Sequence, residues 1–122
     1  MKKTIVWGVS LNPQRYSHIA VKRLQQSGEA TLSFGLRPGQ VEGVEIKTDS
    51  EYFRMIPNIH SISLYVSAAH QQAYLPIWLA LKPERIIFNP GTENPALYSE
   101  LEAAGIAVEE ACTLVLLSTG QY

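Results

Sequence analysis

The chain opens on a short apolar run, Thr4-Ile5-Val6-Trp7, which stops at Gly8 and passes through Val9-Ser10-Leu11-Asn12-Pro13-Gln14-Arg15-Tyr16-Ser17 into a helical pattern. No other stretch narrows the possible folds as far. A β-favouring run ending in Gly, then small and polar residues, then a helix, is the opening βα unit of a doubly wound sheet. At such a turn the unpaired N–H groups of the helix's first turn and the positive end of its dipole face one point, where a phosphate or pyrophosphate docks. Against the dinucleotide fingerprint GxGxxG the stretch keeps only the first Gly, because Ser10 stands at the second position and Pro13 at the third. Ser10 offers a hydroxyl but adds a Cβ, while Pro13 removes a donor and fixes φ at about −65°. From this stretch alone, an anion site and a plain strand-to-helix turn both stand.

Beyond the opening, strand and helix patterns alternate. Ser17 is read as the N-cap of a helix that runs to Ser27, with Tyr16, Ala20, Val21 and Leu24 on its apolar side and Gly28 closing it. Ala30–Phe34 reads as a strand, followed by the polar, glycine-rich Gly35-Leu36-Arg37-Pro38-Gly39. Residues 42–52 read as a loop with a short edge strand at 44–46, and 50–55 as a helical turn. Ser61–Val66 alternates polar and apolar and reads as a strand, with Ser67 capping a helix from Ala68 to Leu81 that Pro76 kinks or splits. Arg85–Asn89 is another strand, Pro90–Asn94 a turn, and Pro95 opens a helix that reaches Gly105. A last strand starts at Ile106 and leads through Cys112 into Thr113–Leu117, a run that suits a core or an interface. Such alternation predicts an α/β fold, Rossmann-like and doubly wound, with a mainly parallel sheet of about five strands and helices on both faces. Ligands of such sheets bind beyond the strands' carboxyl ends. Gly8–Ser17, Gly35–Pro38, Tyr65–Ser67 and Asn89–Thr92 are expected to converge there.

With 122 residues the chain is expected to form one domain. Its 46% hydrophobic and 17% charged residues are ordinary for a globular protein, and a net charge of −1 argues against a dominant nucleic-acid or anionic-membrane surface. One cysteine, Cys112, has no internal disulfide partner, which fits a reducing cytoplasm. No run reaches the roughly 20 apolar residues of a membrane span, so a soluble, cytoplasmic protein is expected. His18, His60 and His70 show no metal-ligand spacing. Glu109 and Glu110 are adjacent on a strand and point to opposite faces, so they do not form an acid–base pair.

The second loop bears on ligand type. An NAD-binding unit carries an acid at the carboxyl end of its second strand, about 20 residues past the fingerprint. Here Glu29 precedes the strand and lies at the remote end, and the carboxyl end offers Arg37 instead. A cation there favours a ribose bearing an extra phosphate, such as the 3′-phosphate of coenzyme A or the 2′-phosphate of NADP. The plainer alternative is a solvated loop charge.

With Gly8-Val9-Ser10-Leu11-Asn12-Pro13, Arg15, Ser17, Gly28, Arg37, Asn89-Pro90-Gly91 and Asn94 in order, the chain resembles the small single-domain CoA-binding proteins. These are similar in fold to the CoA-binding domain of succinyl-CoA synthetase α subunits. The resemblance covers nearly the whole chain. It implies that Gly8, Ser10, Asn12 and Pro13 shape the pyrophosphate pocket, that Arg15, Tyr16 and Ser17 border it, and that Arg37 approaches the ribose 3′-phosphate. It further places Tyr65 and Val66 beside the nucleotide, with Asn89 and Gly91 at the late turn. Two departures stand out: Gly35-Leu36 replaces the Asn-Pro pair that precedes the basic residue in relatives, and Ala111 and Thr113-Leu114 replace residues of a more basic end around Cys112.

Three readings of function follow. The first is non-catalytic binding of coenzyme A or an acyl-CoA, with a nucleotide-type small molecule as partner. The second is a protein-interaction domain with a vestigial nucleotide pocket, in which the apolar end meets a homo-oligomeric or other protein partner. The third is an NAD(P)-binding sensor or enzyme, although no catalytic constellation is visible.

Overall fold

The computed structural model describes residues 1–122. Seven strands, β1 (Lys3–Trp7), β2 (Ala30–Phe34), β3 (Gly39–Val41), β4 (Val44–Lys47), β5 (Ser61–Leu64), β6 (Arg85–Phe88) and β7 (Ala107–Glu110), form one sheet in the order β3-β4-β2-β1-β5-β6-β7. All neighbours are parallel except β3 and β4. Four helices complete the fold: α1 (Tyr16–Gln26), α2 (Leu75–Leu81), α3 (Pro95–Ala103) and α4 (Thr113–Ser118). None is long and apolar enough to cross a membrane. From β1 the chain steps out to β2 on one side, then returns to β5 on the other, so strand order reverses at β1. A crevice opens at such a reversal because the flanking connections leave in opposite directions.

Side-chain alternation sorts the layers. Ile5, Trp7, Phe34, Ile62, Leu64, Ile86 and Phe88 face the larger core, which they share with Phe53, Leu75, Trp78, Leu97 and Leu101. Val6 faces the other side, where Val21 and Leu24 of α1 meet Val41, Val44 and Ile46, with Leu117 of α4 packed against them. On that side β5 presents Ser61 and Ser63, both fully buried. The Ser63 hydroxyl bonds that of Thr113 at 2.7 Å, so the polar half of the alternating β5 pattern is what α4 docks on.

Several boundaries differ from expectation. The sheet has seven strands rather than about five: β4 sits one place inside the edge, paired with β2, and β3 is the edge. Glu42 and Gly43, with φ of 50° and 79°, make the two-residue turn between them. Ser17 is not the N-cap of α1. That position belongs to Arg15, and the Ser17 hydroxyl accepts the Ser10 N–H at 3.0 Å. Tyr16, expected on the apolar side, is 71% exposed. The segment from Ala68 splits into two short 3-10 turns, Ala68–His70 and Gln72–Tyr74, followed by α2 with Pro76 in its first turn, where no N–H partner is lost. Thr113–Ser118 is a helix, not the continuation of β7.

Candidate functional site

Gly8 sits at φ +106°, a conformation that disfavours any side chain. A Cβ there would lie 2.9 Å from Val66 Cγ2 and 3.2 Å from the Tyr65 carbonyl carbon, so the loop lies against the end of β5. On its other flank the N–H groups of Gly8 and Val9 both donate to the Phe34 carbonyl at 2.8 Å. Gly35 packs so close that a Cβ would stand 2.5 Å from the Val9 carbonyl oxygen. Edge hairpin and loop also touch, since a Cβ on Gly39 would meet Leu11 Cδ2 at 2.7 Å. Within the loop, Ser10 Oγ accepts the Asn12 N–H, Asn12 Oδ1 accepts the Gln14 N–H, and the Asn12 carbonyl accepts the Arg15 N–H. His18 Nδ1 donates to the Ser10 carbonyl at 3.0 Å. The N–H groups of Leu11, Tyr16 and Ser17 have no partner in the protein. Those of Tyr16 and Ser17 lie at the positive end of α1.

Two clefts meet over this loop. The first, about 500 Å³, lies between the segment after β2 (Phe34, Gly35, Leu36, Arg37) and the segment after β5 (Tyr65, Val66, Ser67, His70, Tyr74), with Gly8 to Leu11 between them. Its inner wall is aromatic. The rings of Phe34 and Tyr74 stand 5.3 Å apart and pack on buried Trp7 at 4.6 and 5.4 Å. The second, about 490 Å³, shares Gly8, Ser10 and Tyr65 and adds Gln14, Arg15, Tyr16 and Ser17. Neither cleft is lined by an Asp or Glu. Arg15 and Arg37 are both exposed and neither is ion-paired.

Gly8, Ser10, Arg15, Tyr16, Ser17, Arg37, Tyr65 and Val66, all expected at the site, therefore come together around two joined clefts. Asn12 and Pro13 lie on the exposed outer bend of the loop and line neither cleft. Asn89 and Gly91 do not reach it either. Asn89 is buried, with Nδ2 donating to Ser63 Oγ at 3.1 Å and to the Leu64 carbonyl at 3.0 Å, while Oδ1 accepts the Thr113 N–H at 2.8 Å. Its bonding capacity toward the protein is spent tying β5, β6 and α4 together. Gly91 is exposed, its N–H donating to Glu93 at 2.8 Å. Buried Gln71 seals the same corner by donating to the carbonyls of Val66 and Thr92. Glu29, at the far end of β2, accepts the Lys2 N–H at 3.1 Å and stands away from both clefts.

The ranges expected to converge at the strand ends include Val9, Leu11, Gly35, Leu36 and Ser67, whereas Phe34, His70 and Tyr74 line the first cleft from outside them. Phe34 carried a signal, since it is the last residue of β2. His70 and Tyr74 carried none, because they lie in turns read as the first part of a helix that Pro76 kinks or splits.

Tyr65 joins the clefts to the α4 side of the sheet. Its hydroxyl is buried without a hydrogen-bond partner, and burial pushes its pKa up to about 12. An unfolded tyrosine ionises at about 10. The native state holds the neutral phenol, so this contribution is intact below about pH 10 and is lost as pH rises toward about 12, by roughly 2–3 kcal/mol in all. Urea unfolding across that range should show the decline in the native sequence and a smaller one in Tyr65→Phe. Equal declines would remove Tyr65 as the cause.

Comparison with known proteins adds to this geometry. A family model described as a CoA binding domain matches residues 2–118. A crystal structure of an uncharacterised protein is similar over 100% of this chain and 98% of its own, at 36% sequence identity and a TM-score of 0.94. Cell-free ID.343 from Thermus thermophilus shares the fold at 21% identity, with a TM-score of 0.84 over 99% of this chain and 90% of its own. A conserved hypothetical protein from Pyrococcus furiosus does so at 23% identity, with a TM-score of 0.80 over 94% and 98%. No curated protein matches.

Proposed function

The chain belongs to the CoA-binding domain family, and from that premise we propose that residues 1–122 act as one unit that binds coenzyme A or an acyl-CoA without transforming it. The observation that carries this reading is electrostatic: two joined clefts hold two unpaired arginines and no carboxylate. Unpaired N–H groups at Leu11, Tyr16 and Ser17 open beside them. Tyr16 and Ser17 N–H donate to the pyrophosphate, joined by the hydroxyls of Ser10 and Ser17, whose oxygens already accept inside the loop and whose protons are free to point outward. Arg37, reaching in from beyond β2, meets the ribose 3′-phosphate. Phe34 and Tyr74 give the first cleft an apolar floor suited to a flat base.

The same arrangement disfavours a plain NAD site. No acid stands at the carboxyl end of β2 to bond the ribose hydroxyls, and Glu29 is held by Lys2 at the opposite end. Calorimetric titration with coenzyme A, dephospho-CoA and NADP at one salt concentration tests the reading. Coenzyme A should bind more tightly than either of the others. Arg37→Ala should weaken coenzyme A by about 1–3 kcal/mol, the worth of a charge-assisted hydrogen bond, and leave dephospho-CoA unchanged. Silence from all three ligands would overturn the proposal.

A further inference from the structure

We propose that His70 is a second, specificity-determining contact for the anionic group that Arg37 meets, so that a phosphorylated ribose is held from both walls of the first cleft. The inference rests on the coenzyme A reading above and deepens it. The sheet register supplies the geometry. Trp7 pairs with Phe34 on one side and with Leu64 on the other. The ends of β2 and β5 therefore stand two strand spacings apart, about 10 Å. Arg37 follows the first of these ends by three residues and His70 follows the second by six, and both line the same cleft. A phosphate between the two walls lies within side-chain reach of each.

The surroundings leave His70 free for this role. It is exposed, its ring makes no hydrogen bond or ion pair within the protein, and its backbone N–H is fixed to the Ser67 carbonyl at 3.0 Å. The charged and titratable groups that share the two clefts are Arg37, Arg15, Tyr16, Tyr65 and Tyr74, with no carboxylate among them. Nothing within the protein competes for the imidazole ring, so it is free to donate to an incoming phosphate. His18, the other histidine near the loop, is committed to the Ser10 carbonyl and lines neither cleft.

The test is a set of calorimetric titrations of the full chain and of His70→Ala and His70→Gln with coenzyme A and dephospho-CoA, at one pH and one salt concentration. In the native sequence coenzyme A should bind more tightly than dephospho-CoA. In both variants coenzyme A should be weakened about 5- to 20-fold and dephospho-CoA changed less than about twofold. Exposure of the residue makes both variants compatible with the fold, and a thermal melt checks this. Equal weakening of the two ligands, or coenzyme A affinity unchanged in both variants, would overturn the role of His70 while leaving the coenzyme A site in place. If the native sequence binds neither ligand, the site and this inference fall together.

Discussion

Replacing Asn89 with Ala should cost the native state about 3 kcal/mol and leave coenzyme A affinity within about twofold. Three buried groups lose their partner at once: the Thr113 N–H, the Leu64 carbonyl and the Ser63 hydroxyl. Of these, only Ser63 keeps another, the Thr113 hydroxyl. A buried polar group stripped of its partner costs about 1–3 kcal/mol, and partial relaxation of α4 offsets some of the sum. Urea unfolding gives the stability, and titration well below the transition gives the affinity. A tenfold loss of affinity with stability intact would return Asn89 to the ligand site, where the family resemblance first put it.

Gly8→Ala should have the other signature, with stability and affinity falling together. An alanine at φ +106° carries backbone strain of about 1–3 kcal/mol. Its methyl group also meets Val66 Cγ2 at 2.9 Å and the Tyr65 carbonyl carbon at 3.2 Å. The Val66 contact is with a side-chain methyl group, whereas the Tyr65 contact is with backbone, held because its N–H donates to the Trp7 carbonyl at 2.8 Å. The loop must therefore move. Displacing it breaks the alignment of the Tyr16 and Ser17 N–H groups with the cleft, and coenzyme A should weaken at least about tenfold, since loss of a charge-assisted contact of about 1.4 kcal/mol already reaches that. Adding Val66→Ala should recover only the part due to the side-chain clash. Full recovery by the double variant would show that φ strain is not the cause.

Much of this architecture was legible in the sequence. β2 falls on Ala30–Phe34 as read, because an alternating apolar and polar stretch between Gly28 and Gly35 leaves little freedom in its bounds. Closure of α1 at Gly28 was equally plain: the Gly28 N–H bonds the Gln25 carbonyl and the Glu29 N–H bonds the Leu24 carbonyl, a pairing that favours glycine at that place. α4 was not legible. Thr113-Leu114-Val115-Leu116-Leu117 has a strand-like composition, and only docking on Ser63 and α1, a tertiary contact, selects the helix. β3 escaped notice because three residues beginning at Gly39 carry almost no periodic signal.

The site divides in the same way. Residues attached to the first βα unit were found because their chemistry and their position coincide in one short stretch. Asn89 resembled a site residue because a polar side chain at a strand's carboxyl end has two uses, binding a ligand or tying neighbouring strands. Sequence does not separate them. His70 was passed over for the opposite reason: its place in the cleft depends on a helix breaking into turns.

Six of the nine backbone N–H groups from Gly8 to Ser17 are bonded within the protein before any ligand arrives. Ser10, Asn12 and Ser17 occupy its amides, Phe34 receives two more, and Gly35 and Leu11 leave it no slack against β2 and the edge hairpin. The ordering of these residues is thus settled during folding, and binding has little conformational entropy left to remove. Association should accordingly proceed as capture by a rigid receptor, at similar rates for related nucleotides, with discrimination among them expressed in how long each one stays.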